Sequence, residues 1–579
     1  MKHFYNKLML ASVVLAGSLA SCTDDNYDLS DVDTTSRIYV KDLTVPVNLQ
    51  EIKMSSIIET EPDGVVQLID GTYCIVKRDL FSSSDIRIDP VTLKSEQIDS
   101  SHKLLDVPSY PGGIPAGVNL TFPLHANPSD FDVKGADVPE CIKSIEEIGT
   151  DLHVTFTLTL NGFGADNLKG FNIRGLKIQL PKNLKEVNTY GNGRYIAETG
   201  VFEVNDQSVT GHSTDLTISF SRINLADAGI SFNYDTHSIF FHGTLGVTSG
   251  DAIVNSSDIR DHTRIPSQVE YIVDYHIADI PVKTFTGGLD YEVPAFDIPE
   301  ISLADLPDVL SQEGTDISLV NPQLYLSFVN PLAVNKAKGS IGLDIIATRT
   351  GEADKHFPME SPLEIPAVQS VKYVLSPLSD FTRPDGYKDA MYHPYANLGK
   401  IVSGKGLPGS LTVMPINPTL DTDHVVDLKI GESLGTITGE YYLLAPLQFA
   451  EGSRIIYTST TDGWSDDSDD LKKLTITSLT VSATVSSDVP VSLDFTLHPL
   501  DSEGKRIAGV EVSKATVPAN AKDFLLEITV TGEFNDLDGI EYTAVAAPEQ
   551  DSSALNENMN ISLKKVRAKV SGHYTTDFD

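Results

Sequence analysis

Gly431-Glu432-Ser433-Leu434-Gly435 has the spacing of a nucleophilic serine elbow. That chemistry needs a strand before the serine and a helix after it, so that the hydroxyl stands above a sheet. The strand-like VVDLKI (425–430) precedes it, but TITGEYYLL (436–444) follows, β-branched and aromatic. The pentapeptide therefore reads as the turn of a β-hairpin. The histidines are scattered singly, without the His-x-x-x-His or His-Glu spacing of zinc enzymes. With 81 Asp and Glu residues, some carboxylate pair will always match a glycosidase spacing, so their number selects no catalytic pair. No glycine-rich phosphate loop precedes a helix. The chain reads as non-catalytic, with no cofactor.

Two other stretches have the composition of binding loops. Asp462-Gly463-Trp464-Ser465-Asp466-Asp467-Ser468-Asp469-Asp470 carries the only tryptophan among five aspartates. Asp462, Asp466 and Asp469 are candidate oxygen ligands for calcium, which wants six or more. The glycine is misplaced for an EF-hand and no flanking helices are evident, so a solvated loop is the simpler reading. The second stretch, Phe381-Thr382-Arg383-Pro384-Asp385-Gly386-Tyr387, runs on to Tyr392-His393-Pro394-Tyr395 without strand period. Loops on a rigid β scaffold commonly carry function. Tyr387, Tyr392, Tyr395 and Trp464 are the expected ligand contacts, and this reading requires them to be exposed.

Near the start, Lys2 and Lys7 precede an apolar run from Leu8 to Leu19 that is too short to span a bilayer. Leu19-Ala20-Ser21-Cys22 follows, and resembles the lipobox of bacterial lipoproteins. The resemblance implies that residues 1–21 are a signal peptide, cleaved before Cys22, whose thiol takes a diacylglycerol. Several acyl chains on one residue give stable membrane attachment. The next residues, Thr23-Asp24-Asp25-Asn26-Tyr27-Asp28, resemble the acidic export signal of surface lipoproteins of the Bacteroidota type. Asp24 and Asp25 would direct the protein to the outer leaflet of the outer membrane. Asp33-Thr34-Thr35 fits the short pattern that such bacteria O-glycosylate, at Thr34.

The net charge is −38, and becomes more negative once Lys2 and Lys7 leave with the signal peptide. Phosphate repels such a chain, which disfavours nucleic acids and anionic lipid surfaces as partners. Of three cysteines, Cys74 and Cys141 remain beside the lipidated one. Their spacing leaves open whether they are bonded.

The body must position these loops, and its pattern is that of strands. Apolar and polar residues alternate in LHVTFTLTL (152–160), DLTISFSRI (215–223), QLYLSFV (323–329), EYYLLAPL (440–447) and LTVSATV (479–485). SIEEIG (144–149) and LADLPDVLS (303–311) are the only short helical candidates. The fold class is mainly β, as serial antiparallel β-sandwich-like domains with little helix. An acidic tether covers 22–36, an N-terminal β region 37–131, and sandwich-like domains 132–265 and 266–372. A C-terminal β region of one or two domains covers 373–579.

These readings combine into a lipid-anchored, surface-facing outer-membrane protein that binds or scaffolds within an envelope complex. Alternatives are a glycan-binding, or less readily glycan-hydrolysing, subunit of a nutrient-uptake system, and a carrier of lipid or another amphiphile.

Overall fold

The computed structural model describes residues 35–45, 51–95, 98–126, 128–135, 137–164, 166–182, 184–225, 230–293, 296–405, 407–464 and 474–577. Cys22, Asp24, Asp25, Thr34, Asp466 and Asp469 lie outside them. The described backbone is overwhelmingly strand, and its α-helices are the single turns Met54–Ile57, Asp308–Ser311 and Asn397–Ile401. The expected mainly β, antiparallel fold class is observed.

The chain forms two compact units. The first takes residues from Met1–Ile57, Arg454–Glu549 and Asn558–Asp579. It holds a six-stranded sheet in the order Thr35–Val45, Asn560–Asp577, Thr475–Ser487, Phe524–Phe534, Glu511–Val512, with Ile52–Lys53 also on the second of these. A four-stranded sheet runs Ile455–Thr461, Gly539–Ala547, Ser492–Leu500, Ala515–Val517. Ile476, Leu479, Val485, Val530, Ala568 and Val570 of the first sheet are buried, as are Leu493, Leu497, Val517 and Ile540 of the second. A bulge between Ile476 and Ser478 shifts the period by one residue, so that Ile476 and Leu479 both reach the core.

The second unit, Ile58–Ser453 with Gln550–Glu557, contains three large sheets. The eleven-stranded sheet is centred on Ile142–Asn161, which pairs with Ser213–Asn224, Gln268–Ile277 and Thr284–Glu292. The ten-stranded sheet is centred on Gly170–Gln179 and Ser238–Asn255. Side chains of both, among them Phe131, Leu152, Val154, Phe220, Phe241 and Leu245, surround an apolar cavity of about 20 Å³. That is room for one water at most, and an acyl chain does not fit. The seven-stranded sheet runs Phe296–Asp297, Thr72–Ser83, Thr438–Pro446, Gln323–Val329, Ser370–Ser376, Met391–Pro394, with Val66–Ile69 on the second. Asp316–Ile317 and Gly404–Lys405 form a separate two-stranded pair.

The structure revises part of the sequence reading. The boundaries at 131/132 and 372/373 fall inside strands Ser129–Gly135 and Ser370–Ser376, and 265/266 is bridged by the pairing of Ile142–Asn161 with Thr284–Glu292. Alternation reveals a strand but not its partner, and here the partners are distant. Residues 144–149 are strand, not helix, because they pair along Thr284–Leu289. Residues 303–311 supply one helical turn only, starting after Pro307, whose ring is tolerated at a helix start. Residues 431–435 are not a hairpin turn: Ser410–Lys429 and Thr438–Pro446 belong to different sheets. The pentapeptide instead pairs with 86–88, and Ser433 Oγ donates to Asp85 Oδ1. Of the cysteines, Cys74 and Cys141 are unbonded. Burial pushes their thiols up to about 12 and about 11.

Arg222 ties four strands of the eleven-stranded sheet together. Its Nη1 donates to Glu147 Oε1 and Asp427 Oδ1, both at 2.7 Å, and its Nε to Glu186 Oε1 at 3.1 Å. Lys185 Nζ donates to Glu147 Oε2 at 2.6 Å. Burial pushes the Glu147 carboxyl up, but hydrogen bonds from Lys185 and Arg222 outweigh it and hold the group below its ordinary range. The hydrogen bond from Arg222 lowers Asp427 likewise. A depressed carboxylate stabilises the fold fully above its unfolded pKa, and that stability is lost as pH falls through the folded pKa. The wild-type melting temperature should therefore drop on acidification below about pH 4. Arg222→Met should melt lower at pH 7 and lose less on acidification. Thermal unfolding of both proteins across pH 2.5–7 checks this.

Candidate functional site

The two faces of the seven-stranded sheet differ. On one, Tyr73, Ile75, Phe81, Leu324, Leu326, Phe328, Leu443 and Leu375 are buried. Phe81 packs edge-on against Phe328 with centroids 5.5 Å apart. Gly439 lies opposite Phe81, where an added Cβ would stand 2.3 Å from the Phe81 ring and 2.1 Å from Ser327 O. Only glycine lets the strands and the ring meet there.

The other face is a grid set by strand register, since directly opposed residues share a face. One row is Arg78, Tyr442, Tyr325, Val374 and Tyr392. The next is Leu80, Glu440, Ser327 and Lys372, and the third Ser82, Thr438, Val329 and Ser370. Rows stand about 6.6 Å apart along the strands, and columns about 4.8 Å.

The aromatic stretch from Phe381 folds down over the first row only. Pro384 to Tyr387 makes a turn with Tyr387 N donating to Pro384 O and Gly386 at φ +89°, the positive φ that a type II turn requires of its third residue. Most other bonds of this segment are internal: Ala390 N to Tyr387 O, Arg383 Nη1 to Ala390 O, and Lys388 with Asp385. Lys372 joins it to the sheet, donating to Gly386 O at 2.6 Å and Asp389 Oδ1 at 3.3 Å. Tyr387 lies 4.8 Å from Tyr325 and 5.8 Å from Tyr442, ring to ring, above Cys74, Val76, Val374 and Leu444. Tyr325 donates its hydroxyl to Gln323 Oε1 at 2.6 Å.

The second and third rows stay open. Leu80 is 69% exposed and Val329 38%, while Thr438 and Ser370 are exposed beside half-buried Ser327, Ser82 and Tyr442. At the margin Arg78 lies over the Tyr442 ring, 5.9 Å from its centroid, and pairs with Glu440. Lys372 lies 5.7 Å over the Tyr387 ring. Each cation thus sits on an aromatic ring and against a carboxylate. The open face offers hydroxyls, two apolar platforms and charge that cancels locally.

The residues expected as exposed contacts are placed otherwise. Tyr387 is 6% exposed, Tyr395 4% and Trp464 7%. Tyr387 and Tyr392 do meet at this site, as a cover. Tyr395 donates its hydroxyl to Phe357 O outside the cluster. Trp464 belongs to the other unit, where its backbone N–H donates to Asp538 O at 2.8 Å, and Asp462 beside it is exposed. Large rings that find apolar partners bury themselves even from a loop rich in polar residues. Sequence reading missed Arg78, Leu80, Ser327, Lys372, Glu440 and Tyr442. The alternation of Glu440, Tyr442 and Leu444 was the available signal, but it does not say which face stays open. Among the described residues no cluster of His, Cys, Asp and Glu has the form of a metal site.

The Tyr387 hydroxyl is buried without a partner among the described residues. Tyr387→Phe should therefore be neutral or stabilising by up to about 1 kcal/mol, whereas Tyr325→Phe, which leaves the buried Gln323 acceptor unpaired, should cost about 1–3 kcal/mol. Urea unfolding of the two variants measures the difference.

No known protein family matches this sequence, and no curated protein is similar to it. Among solved structures the chain is similar to a protein of Parabacteroides distasonis ATCC 8503 described as secreted. That likeness has 15% identity over 50% of this chain and 90% of the other, with a TM-score of 0.36. It is also similar to the N-terminal tandem CBM22 domain of Paenibacillus barcinonensis Xyn10C, with 8% identity over 49% and 86% of the two chains and a TM-score of 0.14. Both scores are low, and neither likeness bears on what the sheet face binds. No helix among the described residues is long and apolar enough to cross a membrane.

Proposed function

We propose that the protein is a lipid-anchored, surface-facing binding protein of the outer membrane. It performs no chemistry on its ligand, and the open rows of the seven-stranded sheet are its binding surface. The observation that carries the binding surface is the juxtaposition of Leu80, Val329 and the exposed margin of Tyr442 with Arg78–Glu440 and with the hydroxyls of Ser327, Thr438 and Ser370. The anchor rests on Leu19-Ala20-Ser21-Cys22 and the aspartates after it.

The same rows favour a neutral, hydroxyl-bearing ligand such as an oligosaccharide. A sugar hydroxyl both donates and accepts, so a vicinal diol can bond a guanidinium and its paired carboxylate together. Its C–H face suits Leu80 and Val329.

In cells the wild-type protein should fractionate with the outer membrane and be shaved by external protease, and Cys22→Ala should leave the membrane fraction. Retention of Cys22→Ala overturns the anchor. For binding, the detergent-solubilised lipoprotein should melt higher with cellohexaose, xylohexaose, laminarihexaose or maltohexaose, since a ligand selective for the native state stabilises it. The double variant Leu80→Lys/Tyr442→Ala should lose that rise. A rise of equal size in the double variant would place the ligand elsewhere.

A further inference from the structure

The strand that follows the acidic tether and the strand that closes the chain carry the opposite charge to the rest of the molecule. Thr35–Val45 contains Arg37 and Lys41 against Asp42, and Asn560–Asp577 contains Lys564, Lys565, Arg567 and Lys569 against Asp577. The two strands pair along most of their length. All six basic side chains are exposed. No hydrogen bond or ion pair to any of them is found among the described residues, while most other lysines and arginines of the chain lean on a carboxylate or a carbonyl. This occurs in a chain whose net charge is −38.

Register puts most of this charge on one face. Ala568 and Val570 point into the core, so Arg567 and Lys569 point out. Lys569 lies between Thr44 and Thr480, Arg567 opposite Ser482 and Lys564 opposite Thr484, all on the outer side of the six-stranded sheet. Arg37, opposite Thr575, continues the same side. Lys565, at φ +53°, marks a bulge there, and Lys41 falls at a second one. Lys53 adds a seventh exposed cation on the short strand beside Asn560. Carboxylates share this side as well, though fewer than the cations: Glu527 opposite Ser482, and Glu511 opposite Thr531 in the row of Ser478 and Ser571. Two apolar side chains share the face: Tyr39, 74% exposed, and Leu525, 68% exposed and opposite Thr484.

We infer that this basic face docks on the membrane surface, against phosphate-bearing lipid headgroups, as a second attachment beside the acyl chains. The inference rests on the lipid anchor proposed above. Twelve residues, 23–34, separate Cys22 from Thr35. Fully extended they reach about 45 Å at most, so the anchor keeps this sheet near the headgroups. A polybasic patch beside an acyl anchor is the usual second signal for stable attachment, and Tyr and Leu are side chains that insert at a membrane interface. Charges elsewhere on the molecule are screened beyond about 8–10 Å in physiological salt, so the local sign governs contact. The patch therefore reverses, for this face, the exclusion of anionic lipid that the overall charge implies.

The test uses the mature chain carrying Cys22→Ser, which cannot be acylated, in sedimentation with large vesicles. Vesicles of phosphatidylglycerol and phosphatidylcholine in equal parts should bind it, more weakly as salt rises, and vesicles of phosphatidylcholine alone should not. Each basic residue near such a surface contributes roughly fivefold. Lys564→Glu/Arg567→Glu/Lys569→Glu should therefore weaken binding by more than about 100-fold, with an unchanged circular dichroism spectrum and melting temperature. Leu525→Ser should weaken it several-fold with little change in salt dependence. Equal binding to both vesicle types, or undiminished binding by the triple variant, overturns the proposal. Binding to heparin-agarose through the same lysines without binding to anionic vesicles also overturns it, in favour of an acidic polymer. Because no acyl group is present, a failed anchor shows only in the cell fractionation of Cys22→Ala, and a failed patch only here.

Discussion

The hydrogen-bond ladder joining Thr72–Ser83, Thr438–Pro446 and Gln323–Val329 is the constraint on which the proposed binding face depends. These segments lie far apart in the chain, and only their register brings Arg78, Tyr442 and Tyr325 into one row. A slip of one residue would turn that row toward the core and bring Phe81 and Phe328 to the surface. The inner side opposes such a slip, because Phe81 seats over Gly439 and packs on Phe328 while Tyr73, Ile75 and Leu443 are buried beside it. Burial of such side chains contributes about 1.5–3 kcal/mol each, well above what the exposed rows could gain by themselves. The outer face is thus positioned by the inner one.

The electrostatics of the chain have to be read at two scales. The net charge of −38 describes how the molecule behaves at a distance, where it favours solubility and repels phosphate polymers. Within a Debye length the arrangement of individual groups decides. On the seven-stranded sheet the cations are matched by Glu440 and Asp389, leaving a face with little net charge. In the Arg222 network one guanidinium bridges three carboxylates. On Thr35–Val45 and Asn560–Asp577 the cations have no such partner among the described residues. Three local environments of different sign coexist in one acidic chain.

Much of the secondary structure was legible from period-2 patterns. QLYLSFV matches the strand Gln323–Val329, and LHVTFTLTL lies within Ile142–Asn161. Gly386 was the available signal for the turn Pro384-Asp385-Gly386-Tyr387, whose third residue needs a positive φ. Pairing was not legible, since alternation carries no address for a partner, and the domain boundaries failed for that reason. SIEEIG misled because Ser144, Glu146 and Glu147 occupy a strand that bends through several register shifts. The site was half legible. Aromatic density pointed to Tyr387 and Tyr392, but the open partners Leu80, Glu440 and Tyr442 sat inside strands that look ordinary in isolation. ISLKKVRAKVSG (561–572) gives no sign of a patch on its own, because its basic side chains become one surface only beside Thr35–Val45.

That pairing of the first strand with the last also sets an order of events. Synthesis delivers Thr35–Val45 long before Ala568 to Asp577, the segment that receives it. No described side chain of Thr35–Val45 is buried, so backbone hydrogen bonds to the final strand are its main hold on the fold. Until residues 560–577 emerge, Thr35–Val45 waits as an unsatisfied edge, and a chain cut short before residue 560 has nothing to close it with. A product truncated there would carry an open strand edge, a template for pairing with another chain.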